Sequence, residues 1–170
     1  MRLIGCPAPS FAEVCADSAP SHVLLLASPG RAAPAAPPGP RVLSLSFNDI
    51  PDERPCLVAP KAADVEAILG FGRTWDGGAP LLASCEVGVS RSTAALFIIS
   101  CERRPDLSEQ AIVDLLRAAA PCATPNPLLV SLADRILGRQ DRMIRAAAAI
   151  GRGADYRPYR SFELALPAPG

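Results

Sequence analysis

The side chains whose types and spacing most directly suggest chemistry are Cys85 and Arg91, a cysteine and an arginine separated by five residues. A cysteine thiolate is a strong nucleophile. An arginine guanidinium offers a planar two-point clamp for the oxygens of a phosphate group. The intervening residues are Glu86, Val87, Gly88, Val89 and Ser90. This arrangement predicts a nucleophile and an anion clamp within one short loop.

The elements on either side of this loop are suited to position it. Leu81–Ala83 is predicted as a short buried strand, and an apolar helix is predicted from Ser92 to Arg103. Free amides of such a loop and of the helix start converge on one anion-sized point. Gly88 permits a backbone conformation that other residues resist. Because Cys85 opens the loop, its sulfur faces the same point, and the amide dipoles favour the thiolate form.

The segment resembles the Cys-x5-Arg-Ser/Thr signature of the protein-tyrosine and dual-specificity phosphatase superfamily. Gly88, Ser90 and Ser92 also match that signature, and the resemblance covers about residues 41–140. It implies a phosphomonoester hydrolase that works through a phosphocysteine intermediate and needs neither a metal ion nor another cofactor. Low-molecular-weight tyrosine phosphatases carry a similar loop near the N-terminus, whereas several elements precede it here.

The resemblance also implies a role for each residue of the loop. Cys85 is the nucleophile, Arg91 clamps the phosphate, and Ser92 assists release from the phosphocysteine. The phosphate-binding residues implied are Glu86, Val87, Gly88, Val89, Ser90 and Arg91, largely through their backbone amides.

A general acid is required as well, because the leaving oxygen must receive a proton. The family places this aspartate on a loop upstream, often as Asn-Asp. Asp49 lies 36 residues before Cys85 in the sequence Phe-Asn-Asp, so it is favoured over Asp52. The alternative is that Asp49 merely shapes a turn. Downstream, Asn126 lies in a segment similar to the family's Ser-Pro-Asn, and we expect it to cap a helix or brace a loop.

One position departs from the family pattern, and it keeps a second function open. Ser84 occupies the place of the histidine that usually precedes the nucleophile. The alternative is therefore a pseudophosphatase that binds phosphorylated partners without turnover. A third reading is a redox enzyme with Cys101 or Cys122 as the resolving thiol, which no family pattern supports.

Composition and charge limit the classes of partner and substrate that we expect. Hydrophobic residues make up 49% of the chain, and Lys+Arg and Asp+Glu each number 17. The absence of net charge argues against a nucleic-acid or membrane partner. We expect a phosphorylated protein or a small phosphomonoester as substrate, with a weak preference for phosphoprotein because no cation lies between Cys85 and Arg91. We also expect a cytoplasmic location and reduced cysteines, five of the six being small buried groups.

The predicted elements alternate between strands and helices. Strands are expected at 2–5, 22–26, 41–46 and 81–83, and helices at 10–17, 60–75, 92–103, 108–120, 127–138 and 139–150. This order predicts an α/β fold, with a phosphatase-like central sheet flanked by helices on both faces and the phosphate-binding loop between a strand and a central helix. Residues 1–150 are predicted to form a single domain. Residues 151–170 are predicted to form an irregular tail packed on or near it, with one strand at 161–166.

Overall fold

A computed structural model describes residues 1–155 and 160–167 of the chain. The strands are β1 (Arg2–Pro7), β2 (His22–Ala27), β3 (Arg41–Ser46), β4 (Leu81–Cys85) and β5 (Phe162–Ala165). The helices are α1 (Phe11–Ser18), α2 (Ala62–Thr74), α3 (Arg91–Arg103), α4 (Glu109–Ala119), α5 (Pro127–Ile136) and α6 (Arg142–Ala149), and one 3₁₀ turn spans Ala8–Ser10.

The strands form one mixed sheet in the order β3-β2-β4-β1-β5. Neighbouring strands are parallel except β5, which runs antiparallel to β1 at the sheet edge. The carboxyl ends of β2, β3 and β4 therefore meet at one edge, where ligands commonly bind in α/β sheets. The next residues along the chain at that edge are Ser28, Phe47 and Glu86.

Two apolar clusters cover the two faces of the sheet. The larger one packs α2 to α6 against Leu24, Leu81 and Ala83. The smaller one packs Phe11 and Cys15 of α1 against the opposite face, with Ala33 and Ala36 of the loop between β2 and β3 beside them. Helices on both faces confirm the predicted fold class. Among the described residues, no helix has the length and hydropathy to cross a bilayer.

Most predicted elements are present, and two predicted helix starts shift. Helix α2 begins at Ala62, two residues after Pro60, and α6 begins at Arg142 rather than at Arg139. Gly138, Gln140 and Asp141 all have positive φ, so the turn after α5 runs further than the sequence suggested. The strand predicted near 161–166 is β5. Residues 156–159 and 168–170 of the predicted tail lie outside the described residues.

One local prediction was wrong. Cys56 is exposed, in contrast to the expectation that every cysteine except Cys85 is buried. Cys56 lies in the irregular segment between β3 and α2 and belongs to neither apolar cluster. The start of α1 has no side-chain cap, because the Ser10 hydroxyl donates to the carbonyl of Pro7 at 3.2 Å.

Candidate active site

Cys85 ends strand β4 at the carboxyl edge of the sheet, and its sulfur lies buried under the following loop. The Gly88 amide donates to Cys85 Sγ at 3.2 Å, and Ser92 Oγ lies 3.2 Å from the same sulfur. Within the part of the chain that the structure describes, the amides of Val87, Val89 and Ser90 have no hydrogen-bond acceptor. Donors of this kind would stabilise an anion held above the sulfur.

Gly88 gives this loop its shape. Its φ is +75°, a left-handed conformation that side chains resist. A Cβ at this position would lie 2.7 Å from the backbone nitrogen of Pro7 and 2.9 Å from the carbonyl carbon of Cys6. The loop therefore lies directly on the end of β1, and only glycine allows that approach.

Arg91 begins α3, and its side chain is 2% exposed. Its Nη1 donates to Ser28 Oγ and to the Phe47 carbonyl, each at 3.1 Å. Its Nη2 donates to Glu86 Oε2. Its Nε is buried without an acceptor and lies 3.8 Å from Asp49 Oδ2. The Nε–H and the second hydrogen of Nη2 are thus left for a ligand.

Glu86 and Ser28 form a cluster with Arg91 that the sequence did not suggest. Ser28 donates to the Glu86 carboxylate through its amide at 3.0 Å and through its hydroxyl at 3.1 Å. Burial raises the pKa of Glu86, but the hydrogen bonds from Ser28 and Arg91 outweigh it, so the pKa is lowered overall. Glu86 is therefore anionic near neutral pH, and it directs its charge at Arg91.

Asp49 lies on the loop after β3, facing the start of α3. Its Oδ1 accepts from Ser90 Oγ at 2.7 Å and from Asn126 Nδ2 at 2.8 Å. The side chain is 35% exposed, so it borders both the phosphate loop and solvent. Asp52 instead pairs with Arg54 at 3.4 Å, where both side chains are more than half exposed. Of the two aspartates considered, only Asp49 contacts the loop.

Asn126 has both of the roles that were expected as alternatives, a helix cap and a loop brace. Its Oδ1 accepts from the Leu129 amide at 3.0 Å and caps α5, as expected. Its Nδ2 also donates to Asp49 and, at 3.1 Å, to the Ile50 carbonyl. It thus fixes the aspartate loop against the helix layer.

The remaining candidates lie apart from this cluster or beneath it. Ser84 is buried, and its hydroxyl has no hydrogen-bond partner among the described residues. His22 begins β2, at the opposite end of that strand from Ser28, and lies 3.2 Å from Thr74 Oγ1. This contact links β2 to the end of α2. No group of three or more metal-ligating side chains occurs in residues 1–155 and 160–167.

Several solved structures share the architecture of this chain. Human DUSP28 has a TM-score of 0.61 and 24% identity, covering 81% of this chain and 94% of that one. The human tyrosine phosphatase-like serine/threonine/tyrosine-interacting protein has a TM-score of 0.62 and 17% identity, covering 81% and 92%. PTPMT1 in complex with PI(5)P has a TM-score of 0.57 and 15% identity, covering 80% and 91%. The fold is that of the dual-specificity phosphatases.

No protein-family model and no curated protein matches the sequence. In the structure, Ser92 contacts Cys85, while Asp49 lies 3.8 Å from Arg91 and accepts from Ser90. No sequence pattern indicates the role of Ser28, because its contact with Glu86 depends on how β2 pairs with β4. Glu86 was predicted only as part of the phosphate-binding backbone, and its side chain has a contact of its own.

Proposed function

We propose that this protein is a cysteine-dependent phosphomonoester hydrolase of the protein-tyrosine/dual-specificity type. The observation that supports it most is the unpartnered Nε of the buried Arg91, which lies in the same loop as the Cys85 sulfur. A buried guanidinium nitrogen without an acceptor is unusual. A phosphate oxygen would satisfy it while the phosphorus sits above the thiolate.

The reaction would proceed in two steps. The Cys85 thiolate attacks phosphorus, and the bond to the leaving oxygen breaks while Asp49 transfers its proton to that oxygen. Asp49, now ionised, takes a proton from water, which attacks the phosphocysteine and releases inorganic phosphate. Ser92 Oγ, 3.2 Å from the sulfur, can donate a hydrogen bond to the departing thiolate. Arg91 and the loop amides hold the phosphoryl oxygens throughout.

The charges around the site support a phosphorylated protein or small monoester as substrate. Glu86 pairs with Arg91 and offsets its positive charge, and no Lys or Arg lies between Cys85 and Arg91. A substrate with several phosphate groups would therefore find no second cation in the loop. PTPMT1, whose structure holds PI(5)P, shares the fold, so phosphoinositides belong among the compounds tested.

The direct test is phosphate release from an aryl phosphate, measured with and without a chelator. We expect metal-independent hydrolysis by the wild type. Cys85→Ser should abolish it, because a serine hydroxyl stays protonated where a thiol ionises. Arg91→Lys should remove most activity, because an ammonium cannot make the two-point contact. Cys56→Ser is the matched control, since Cys56 is exposed outside the site. Turnover by Cys85→Ser near the wild-type rate would contradict the assignment.

The second candidate is a module that binds phosphorylated partners without turnover. It is favoured by Ser84, which replaces the family's histidine and contributes no hydrogen bond to the loop. A neighbour in fold carries the name of a phosphatase-like interacting protein. Binding of tungstate or a phosphopeptide without phosphate release would support this candidate over the enzyme.

A further inference from the structure

We propose that Glu86 and Ser28 are positioning residues that orient Arg91 so that one edge of its guanidinium faces the phosphate. This inference rests on the proposed phosphate-binding function and extends it. Neither side chain is implied by the signature at Cys85 and Arg91, where the position after the cysteine is variable.

The three strand ends explain how the contact forms. Ser28 follows β2, Phe47 follows β3 and Glu86 follows β4, and these strands are adjacent in the sheet. Register pairs Leu26 with Cys85, which places Ser28 level with the first residues of the loop. Each strand end therefore supplies an acceptor to the same guanidinium.

The arrangement of these acceptors leaves one edge of the guanidinium open. Ser28 Oγ and Glu86 Oε2 accept from Nη1 and Nη2 respectively, and they are hydrogen-bonded to each other at 3.1 Å. They therefore occupy the end of the group that lies farthest from the chain. The edge formed by Nε and the second hydrogen of Nη2 is left over, and Nε has no acceptor. A guanidinium binds an oxyanion through two parallel N–H groups of this kind.

The side chain of Glu86 therefore acts on the phosphate through Arg91. A carboxylate in a phosphate-binding loop would repel the ligand if it stood free. Here it is held on the far side of the arginine by two donors from Ser28. Removing it would free a buried cation to rotate towards other acceptors, such as Asp49 Oδ2 at 3.8 Å. A misplacement of about 1 Å at a positioning group can reduce catalysis about 100-fold.

The experiment compares Glu86→Gln, Ser28→Ala and the double variant in a steady-state assay with an aryl phosphate. We expect each single variant to lose about 10- to 100-fold in kcat/KM, mostly in kcat. The double variant should lose little more than the less active single variant, because both residues act on one guanidinium. Glu163→Gln is the control: it removes the partner of Arg2 in an exposed ion pair between β1 and β5 and should leave activity unchanged.

Two further measurements separate positioning from a general structural role. In an Arg91→Lys background, Glu86→Gln should change kcat/KM less than about twofold, because the planar group that it orients is absent. Tungstate affinity, measured by calorimetry, should fall about 10-fold or more in Glu86→Gln and Ser28→Ala, and it can be measured whether or not the protein turns over.

The outcomes for this inference and for the proposed function are distinct. Normal activity and tungstate affinity in Glu86→Gln, together with an inactive Cys85→Ser, would overturn the positioning role and leave the hydrolase standing. A wild type without turnover whose tungstate affinity still depends on Glu86 and Ser28 would support the positioning role and refute the hydrolase. Equal effects of Glu86→Gln in the wild-type and Arg91→Lys backgrounds would also overturn the positioning role.

Discussion

Gly88→Ala tests the geometry of the phosphate loop most sharply. An alanine there must adopt a left-handed conformation at φ +75°, which costs about 1–2 kcal/mol. Its Cβ would also lie 2.7 Å from the Pro7 nitrogen, and this backbone cannot move as freely as a side chain. Overpacking of that kind costs about 1–3 kcal/mol. We therefore expect Gly88→Ala to lower the free energy of unfolding by about 2–5 kcal/mol, or to relieve the clash by lifting the loop off β1.

Urea unfolding and activity distinguish these two responses. If the loop lifts, the Gly88 amide moves away from Cys85 Sγ. The lost hydrogen bond, worth about 1.5–3 kcal/mol when it is made to a charged group, reduces turnover by about 10- to 100-fold. Gly70→Ala is the control, because nothing lies within 4 Å of its added Cβ and its helical position should be stabilised by about 0.5–1 kcal/mol. Unchanged stability together with unchanged turnover in Gly88→Ala would refute the loop geometry.

Three other perturbations have defined outcomes. Asp49→Ala should slow the hydrolysis of alkyl phosphates, which have poor leaving groups, about 100-fold or more, and that of aryl phosphates far less. Asp52→Ala should show no such difference. The reverse pattern would make Asp52 the acid. Ser84→His should lower the free energy of unfolding by about 1–3 kcal/mol, measured by thermal unfolding, without raising turnover. The reason is that the recess beside Ser84 has a volume of only about 20 Å³. A gain in turnover would show that the recess opens. Burial raises the pKa of Cys6 from 9.0 to about 11, so the folded state favours the neutral thiol, and this stabilisation is present below pH 9 and lost as the pH rises towards 11. In urea unfolding across that pH range, the free energy of unfolding should fall less steeply in Cys6→Ala than in the wild type. Identical slopes in the two proteins would contradict the burial of Cys6.

The phosphate loop could be predicted from the sequence because its parts are local. Strand, loop and helix follow one another within residues 81–103, and the spacing of Cys85 and Arg91 within them is fixed along the chain. The helix caps Ser108 and Asn126 were predictable for the same reason, since each accepts from an amide three residues ahead. Patterns confined to a few neighbouring residues can be recognised without knowing how the strands pair in the sheet.

The contacts of Ser28 and Glu86 could not be predicted in this way. They depend on the pairing of β2 with β4, strands separated by more than fifty residues. The pattern of apolar residues identifies both strands but does not specify which neighbours they pair with. The second contact of Asn126 also depends on how α5 packs beside the loop after β3, which no local pattern reports.

The same packing bears on the redox alternative raised by the cysteines. Cys101 lies ten residues beyond Arg91 on α3, about 15 Å along the helix, so it is too far away to resolve a bond to Cys85. Burial raises the pKa of the Cys101 thiol, which further disfavours thiolate chemistry there. Cys6 lies on the neighbouring strand, but it pairs in register with Ser84 and packs in the cluster on the opposite face from Cys85. A disulfide requires Cβ atoms that face each other. Neither Cys101 nor Cys6 is therefore placed to form a disulfide with Cys85.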